Sequence, residues 1–139
     1  MVHLVVGHKG KGKTKILLDR ANEQIKEVRG SMVYLDHSSW HMYELNNQIR
    51  YINIMNYPIA TGERIIGFIC GILSQNRDIE VMYLDDLLRV SDFNTEEILE
   101  IVKELDRISE TWKLDLTMSL SIDKEHLPED LQEKVLISL

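Results

Sequence analysis

The chain of 139 residues carries 16 Lys and Arg against 23 Asp and Glu, for a formal charge of −7. Its length is that of one domain able to bury a core without disulfide or metal staples, and a composition of 44% hydrophobic and 28% charged residues excludes a disordered chain. No apolar run approaches the roughly 20 residues of a membrane span. Residues 1–6 lack the basic start and cleavage pattern of a signal peptide, and Cys70, the single cysteine, excludes an intrachain disulfide and a CxxC metal site. These features lead us to expect a cytoplasmic protein with no membrane insertion.

The acidity is unevenly spread. Residues 1–30 hold 7 Lys and Arg against 3 Asp and Glu, whereas the remainder holds 9 against 20. Lys9, Lys11, Lys13 and Lys15 fall on alternate positions among Gly7, Gly10 and Gly12. One compact positive spot on a negative chain suits a local anion site and gives no indication of nucleic-acid binding.

In chain order, His3-Leu4-Val5-Val6 predicts a short strand that stops at Gly7. Ile16, Leu17, Leu18, Ala21, Ile25 and Val28 recur at helical spacing, with Gly30 as the expected stop. Met32-Val33-Tyr34-Leu35 is a second strand ending in Asp36, residues 37–47 are polar and contain at most a short helix, and residues 49–54 alternate as a third strand. Thr61 caps a helix reaching about Asn76. Its apolar residues leave little polar face, so the pattern predicts a largely buried helix whose Gly67 and Gly71 admit a close neighbour. Val81-Met82-Tyr83-Leu84 is a strand ending in Asp85-Asp86. Asn94 and Glu97 then open an amphipathic helix through Ile108. Residues 116–122 form a strand, Leu127-Pro128-Glu129-Asp130 a helical turn and Val135-Leu136-Ile137 a last strand. This alternation predicts an α/β fold over residues 1–139: a single three-layer domain with a mostly parallel sheet, helices on both faces and the first strand central.

The segment Gly7-His8-Lys9-Gly10-Lys11-Gly12-Lys13-Thr14 satisfies G-x-x-x-x-G-K-(S/T) at every fixed position. Gly7 turns the chain off the strand, and Gly10 and Gly12 let backbone N–H groups wrap a phosphate without Cβ obstruction. Lys13 supplies a cation to the β- and γ-phosphates, and Thr14 offers a hydroxyl to Mg²⁺. The helix that follows aims its positive N-terminus at the same anion. Lys9 and Lys11 add positive potential, and His8 stands where the deviant loop of dimerising membrane-associated ATPases carries a second lysine.

Phosphoryl chemistry at such a loop needs a carboxylate at the end of an apolar strand to hold the Mg²⁺ shell. Asp85 is the preferred ligand, and Asp36, on the strand expected further out, is the alternative. Asp86 follows where P-loop ATPases with an additional catalytic acid commonly place a water-polarising Glu. As a side chain one methylene shorter, it implies slow hydrolysis or none, and the other reading of Asp86 is a turn or N-cap acid. Ser119, Ser121 and Asp123 fall where a γ-phosphate sensor often lies, and alternation puts the two serines on one side of their strand. Arg77 and Arg89 lie near the right segments for a catalytic arginine. His37, His41 and Glu44 have metal-like spacing but lack a further strong ligand, so they read as a polar loop. Cys70 reads as core filler, Trp40 and Trp112 lack interleaved basic clusters, and Ser38-Ser39 lacks a nucleophile-elbow context.

With these motifs in hand, the chain resembles the RecA-like branch of P-loop NTPases. More closely, it is similar to small stand-alone bacterial P-loop proteins with G-x-x-G-x-G-K-T near the N-terminus, a Gly-Phe-Ile-Cys-Gly helix (here Gly67 to Gly71) and a late Leu-Pro-Glu (here Leu127 to Glu129). Some of these are labelled ATP-binding or twitching-motility ATPase-like. The extra N-terminal domain and the acidic and histidine boxes of pilus retraction ATPases find no match here. Gly10 to Thr14 and Leu84-Asp85-Asp86 also look like short pieces of corrinoid adenosyltransferases.

The resemblance implies Mg²⁺-dependent binding of a nucleoside triphosphate, with ATP first, and weak hydrolysis with Asp86 as base. Because the nucleotide fold would take up nearly all 139 residues, a protein partner or homo-oligomer is expected as well. The alternatives are a non-hydrolysing nucleotide sensor and, behind it, a corrinoid-adenosyltransferase-like or kinase-like transferase.

Overall fold

Side chains alternate between two apolar faces along the strands, and this alternation dictates how the sheet is covered. The computed structural model describes residues 1–89 and 92–139. Its strands are β1 (Val2–Val6), β2 (Ser31–Asp36), β3 (Arg50–Asn53), β4 (Ile79–Asp85), β5 (Asp115–Leu120) and β6 (Val135–Ser138). They form one six-stranded sheet in the order β3-β2-β4-β5-β1-β6, with every pairing parallel. Parallel neighbours require crossover connections, and the helices α1 (Lys13–Gln24), α2 (Gly62–Gln75), α3 (Thr95–Trp112) and α4 (Glu129–Gln132) lie in those connections.

On one face, Leu4, Leu35, Leu84 and Met118 pack with Ile65 and Ile69 of α2, Val102 and Leu105 of α3 and Leu131 of α4. On the other, Val5, Met32, Tyr34, Val81 and Tyr83 meet Leu17, Leu18, Ala21 and Ile25 of α1 and its end. Each fully buried aliphatic side chain contributes about 1.5–3 kcal/mol, so truncating Leu17, which is wholly buried, would cost about 2–5 kcal/mol. The result is a three-layer α/β fold with helices on both faces of a parallel sheet. No helix among the described residues is long and apolar enough to cross a membrane.

Several expectations are corrected. β1 is not central: β5 and β6 flank it, one place from the sheet edge, while β4 and β5 occupy the middle. The fifth strand stops at Leu120. The α1 segment ends through tight turns at Lys26 and Glu27, before Gly30. Gly30 is small for another reason, since a Cβ there would come within 2.1 Å of the Asp78 carbonyl oxygen. The largest departure is α2. Only Ile65 and Ile69 are buried, Cys70 is exposed, and a Cβ on Gly67 or Gly71 would meet nothing within 4 Å. Hydropathy alone could not reveal this, because among the described residues α2 packs against α3 and takes Tyr57 against Phe68, yet most of its side chains stay outside the buried core.

Candidate functional site

Strand β1 delivers the chain into the glycine-rich loop at the carboxyl edge of the sheet. Gly7 (φ 149°), Gly10 (φ 86°) and Gly12 (φ 93°) all have positive φ, where a side chain is strained. At Gly7 space is short as well, because a Cβ would lie 2.9 Å from Leu139 Cβ. Gly12 is the N-cap of α1 and brings no side-chain cap, so the first amides of that helix remain available as anion donors. His8, Lys9, Gly10, Lys11 and Gly12 are exposed, Thr14 is half-buried and Lys13 is buried. The Lys13 ammonium folds back under the loop, donating to the Gly7 carbonyl at 2.7 Å, the His8 carbonyl at 3.1 Å and Ser121 Oγ at 3.2 Å. Burial pushes its pKa down, against the opposing pull of Asp86 and Asp85.

Register then decides which carboxylate faces the loop. β5 lies between β1 and β4, and β2 lies beyond β4. The Thr14 hydroxyl donates to Asp85 Oδ1 at 3.2 Å, whereas Asp36 takes its partners from its own side of the sheet. Asp85 has no exposed surface. It also accepts from the Tyr34 hydroxyl at 2.7 Å and from Ser119 Oγ at 3.2 Å. Burial raises the pKa of its carboxyl and nearby Asp36 adds to that, while the three hydroxyl donors pull the other way.

Behind this carboxylate stands a stack that the sequence reading did not identify. Tyr51, Tyr34 and Tyr83 are direct cross-strand partners on β3, β2 and β4. Their rings stack with centroids 5.9 and 5.8 Å apart and interplanar angles of 12°. Two of the hydroxyls reach diagonally to the next strand: Tyr51 donates to Asp36 and Tyr34 to Asp85. Burial raises the pKa of both phenols, reinforced by those carboxylates, so both act as donors. A signal was present in the sequence, because Tyr34-Leu35-Asp36, Tyr51-Ile52-Asn53 and Tyr83-Leu84-Asp85 repeat one pattern at three strand ends.

His37 Nδ1 lies 3.2 Å from both Asp36 Oδ1 and the Asp85 carbonyl oxygen. Both neighbours are acceptors, so Nδ1 carries the hydrogen. The hydrogen bond to Asp36 is the main cause of a raised His37 pKa. His41 turns instead to Glu44, with Nδ1 at 2.6 Å from Oε2, so the two histidines serve separate partners.

Asp86 sits in the left-handed region at φ 53°. Its amide donates to Ser119 Oγ at 2.9 Å, and its carboxylate receives Ser121 Oγ at 3.2 Å and Arg89 Nη1 at 3.2 Å. Ser119 therefore bridges the consecutive aspartates, and Ser121 links Asp86 to Lys13. Arg89, undistinguished in the sequence, is singled out by this pairing, whereas Asp123 contacts His8 at 3.1 Å. Lys9, Lys13, Thr14, His37, Asp85 and Arg89 line a cleft of about 280 Å³, and Trp40, 84% exposed, stands at its edge.

A glycine loop between a parallel strand and a helix, facing a carboxylate at the end of a non-adjacent strand, is the layout of the P-loop type of α/β fold. No protein-family model matches the chain, and no curated protein matches it. Among solved structures it is similar to the flagellar accessory protein FlaH from Methanocaldococcus jannaschii, with a TM-score of 0.58 and 13% identity over 95% of this chain and 65% of that one. The chain thus spans just under two thirds of that structure's length, and at this identity the likeness shows the fold alone.

Proposed function

We propose that the protein binds a nucleoside triphosphate, ATP foremost, together with Mg²⁺, and hydrolyses it slowly. The observation that carries this reading is the direct hydrogen bond between Thr14 and Asp85, which places a hydroxyl and a carboxylate side by side at the foot of a glycine loop. These two oxygens fit a hard cation, either directly or through its waters. Mg²⁺ held there would neutralise charge on the phosphate oxygens. The exposed loop amides and the N-terminus of α1 supply donors to the phosphates. Lys13 exchanges the Gly7 and His8 carbonyls for phosphate oxygens, and Lys9 and Lys11 raise the local potential. His8 contributes its backbone to the same loop.

Asp86 is the base candidate, and its surroundings favour slow turnover. Its carboxylate is already shared between Arg89 and Ser121, and a misplacement of ~1 Å costs about 100-fold. This pairing also supports a second reading, in which the chain senses a nucleotide without turnover and presents the bound state to a protein partner or a second copy.

Phosphate release from Mg-ATP by the purified chain, compared with Lys13→Ala, separates the two readings. Release by the wild type above the Lys13→Ala background supports hydrolysis. Equal background in both, with Mg-ATP raising the melting temperature of the wild type alone, supports the sensor. If Mg-nucleotide does not stabilise the wild type, both readings fail.

A further inference from the structure

A second groove lies away from the phosphate loop. About 580 Å³ in volume, it runs between the N-terminal halves of α2 and α3. Ile66, Phe93 and Ile101 give it an apolar lining, while Glu63 on one helix and Glu100 on the other form its rims. Glu97 and Glu104 also line it, but Glu97 is spent on the Asn94 cap and Glu104 on Arg107. Among the described residues, no Lys or Arg lines the groove.

The width of the groove depends on Gly67. A Cβ there would meet nothing within 4 Å, and the residue has no positive φ to demand glycine. Glycine in a helix interior costs about 0.5–1 kcal/mol relative to alanine. Here the cost leaves an open trough beside half-buried Ile66, on a helix apolar enough to be buried all round yet covered on only part of its circumference.

We propose that this groove is a docking site for a basic amphipathic helix of a partner protein. The apolar floor between two helices suits the apolar stripe of a third helix, with anchors at i, i+3/i+4 and i+7. Acidic rims on both sides select Lys and Arg along the flanks of that stripe. The same rims repel anionic lipid headgroups and nucleic-acid phosphates. The inference does not depend on the nucleotide reading, since the groove shares no lining residue with the cleft around the phosphate loop.

The test is fluorescence anisotropy of a labelled 16-residue Leu/Lys amphipathic peptide titrated with the full chain. Its controls are a scrambled peptide of the same composition and an acidic Leu/Glu peptide. The expected result is saturable binding of the basic amphipathic peptide alone, weakening several-fold as salt rises from about 50 to 300 mM. Gly67→Leu fills the trough and Glu100→Lys reverses one rim, and each should weaken binding at least about tenfold. Gly67→Leu should also melt no lower than the wild type, so its loss of binding cannot be attributed to unfolding. Equal binding of the scrambled peptide, no binding, or affinity unchanged in both variants would overturn the proposal. Two further outcomes would also overturn it: a wild-type dimer that Gly67→Leu dissociates, which would make the occupant a second copy, or retention on anionic vesicles that Gly67→Leu abolishes.

Discussion

The hydroxyl of Tyr34 on β2 donates at 2.7 Å to Asp85 Oδ2 on β4, fixing the carboxylate whose other oxygen meets Thr14. Phe in place of Tyr34 keeps the ring between Tyr51 and Tyr83 but removes that donor. Asp85 then retains two of its three hydroxyl partners, and loss of a hydrogen bond to a buried charged group predicts a cost of about 1–3 kcal/mol in denaturant unfolding. The freed carboxylate should also hold Mg²⁺ less well, lowering Mg-ATP affinity several-fold. An unchanged unfolding midpoint would show that the contact contributes nothing.

Asp85 itself should be costly to stability when ionised. Its carboxyl pKa is raised above the ordinary value of 3.8, chiefly by burial. The folded chain therefore holds this proton more tightly than the unfolded chain, and the contribution of Asp85 to stability falls as pH climbs from 3.8 through the raised folded value. Asp85→Asn removes the charge while leaving groups that the three surrounding hydroxyls can turn to meet. Its melting temperature should exceed that of the wild type at pH 7, by a few degrees, with the gap closing towards pH 4. Mg-ATP should no longer stabilise the variant.

His37 has a dependence of the same sign in a higher pH window. Its pKa is raised above 6.5 mainly by its bond to Asp36, so the stability it contributes is fully present below 6.5 and is lost as pH rises through the folded value. Thermal melts of the wild type between pH 6 and 8 should therefore decline, and His37→Asn should flatten part of that slope. Parallel slopes in the two proteins would contradict the assignment.

The glycines of the loop differ in what they tolerate. Gly10→Ala should cost about 1–2 kcal/mol from backbone conformation alone, because a Cβ there meets nothing within 4 Å. Gly7→Ala adds a 2.9 Å approach to Leu139 Cβ, and overpacking of that kind costs a further 1–3 kcal/mol or so. Urea unfolding of the two variants side by side should rank Gly7→Ala as the less stable. The reverse order would mean that the Leu139 contact gives way freely.

Local patterns made much of the fold legible in the sequence. The runs around Val5, Val33, Met82 and Met118 are strands because they are apolar on both faces of a parallel sheet. Asn94 and Glu97 form the reciprocal cap that their spacing implies. What required three dimensions was strand order. The insertion of β5 between β1 and β4 aims Ser119 and Ser121 at the aspartate pair, and register turns three Tyr residues into one stack. The misreading of α2 has a related cause, since composition records how apolar a helix is but not how many neighbours cover it. Gly67 suggested a close contact and instead borders an open groove.

If Lys13, Thr14 and Asp85 form a Mg-nucleotide site, calorimetric titration of ATP into the purified chain, with and without Mg²⁺, will detect it. The expected result is one saturable site for Mg-ATP, markedly weaker without Mg²⁺, and no measurable binding by Lys13→Ala at the same concentrations. Absence of heat and of saturation in the wild type, or equal affinity in the wild type and Lys13→Ala, would contradict it.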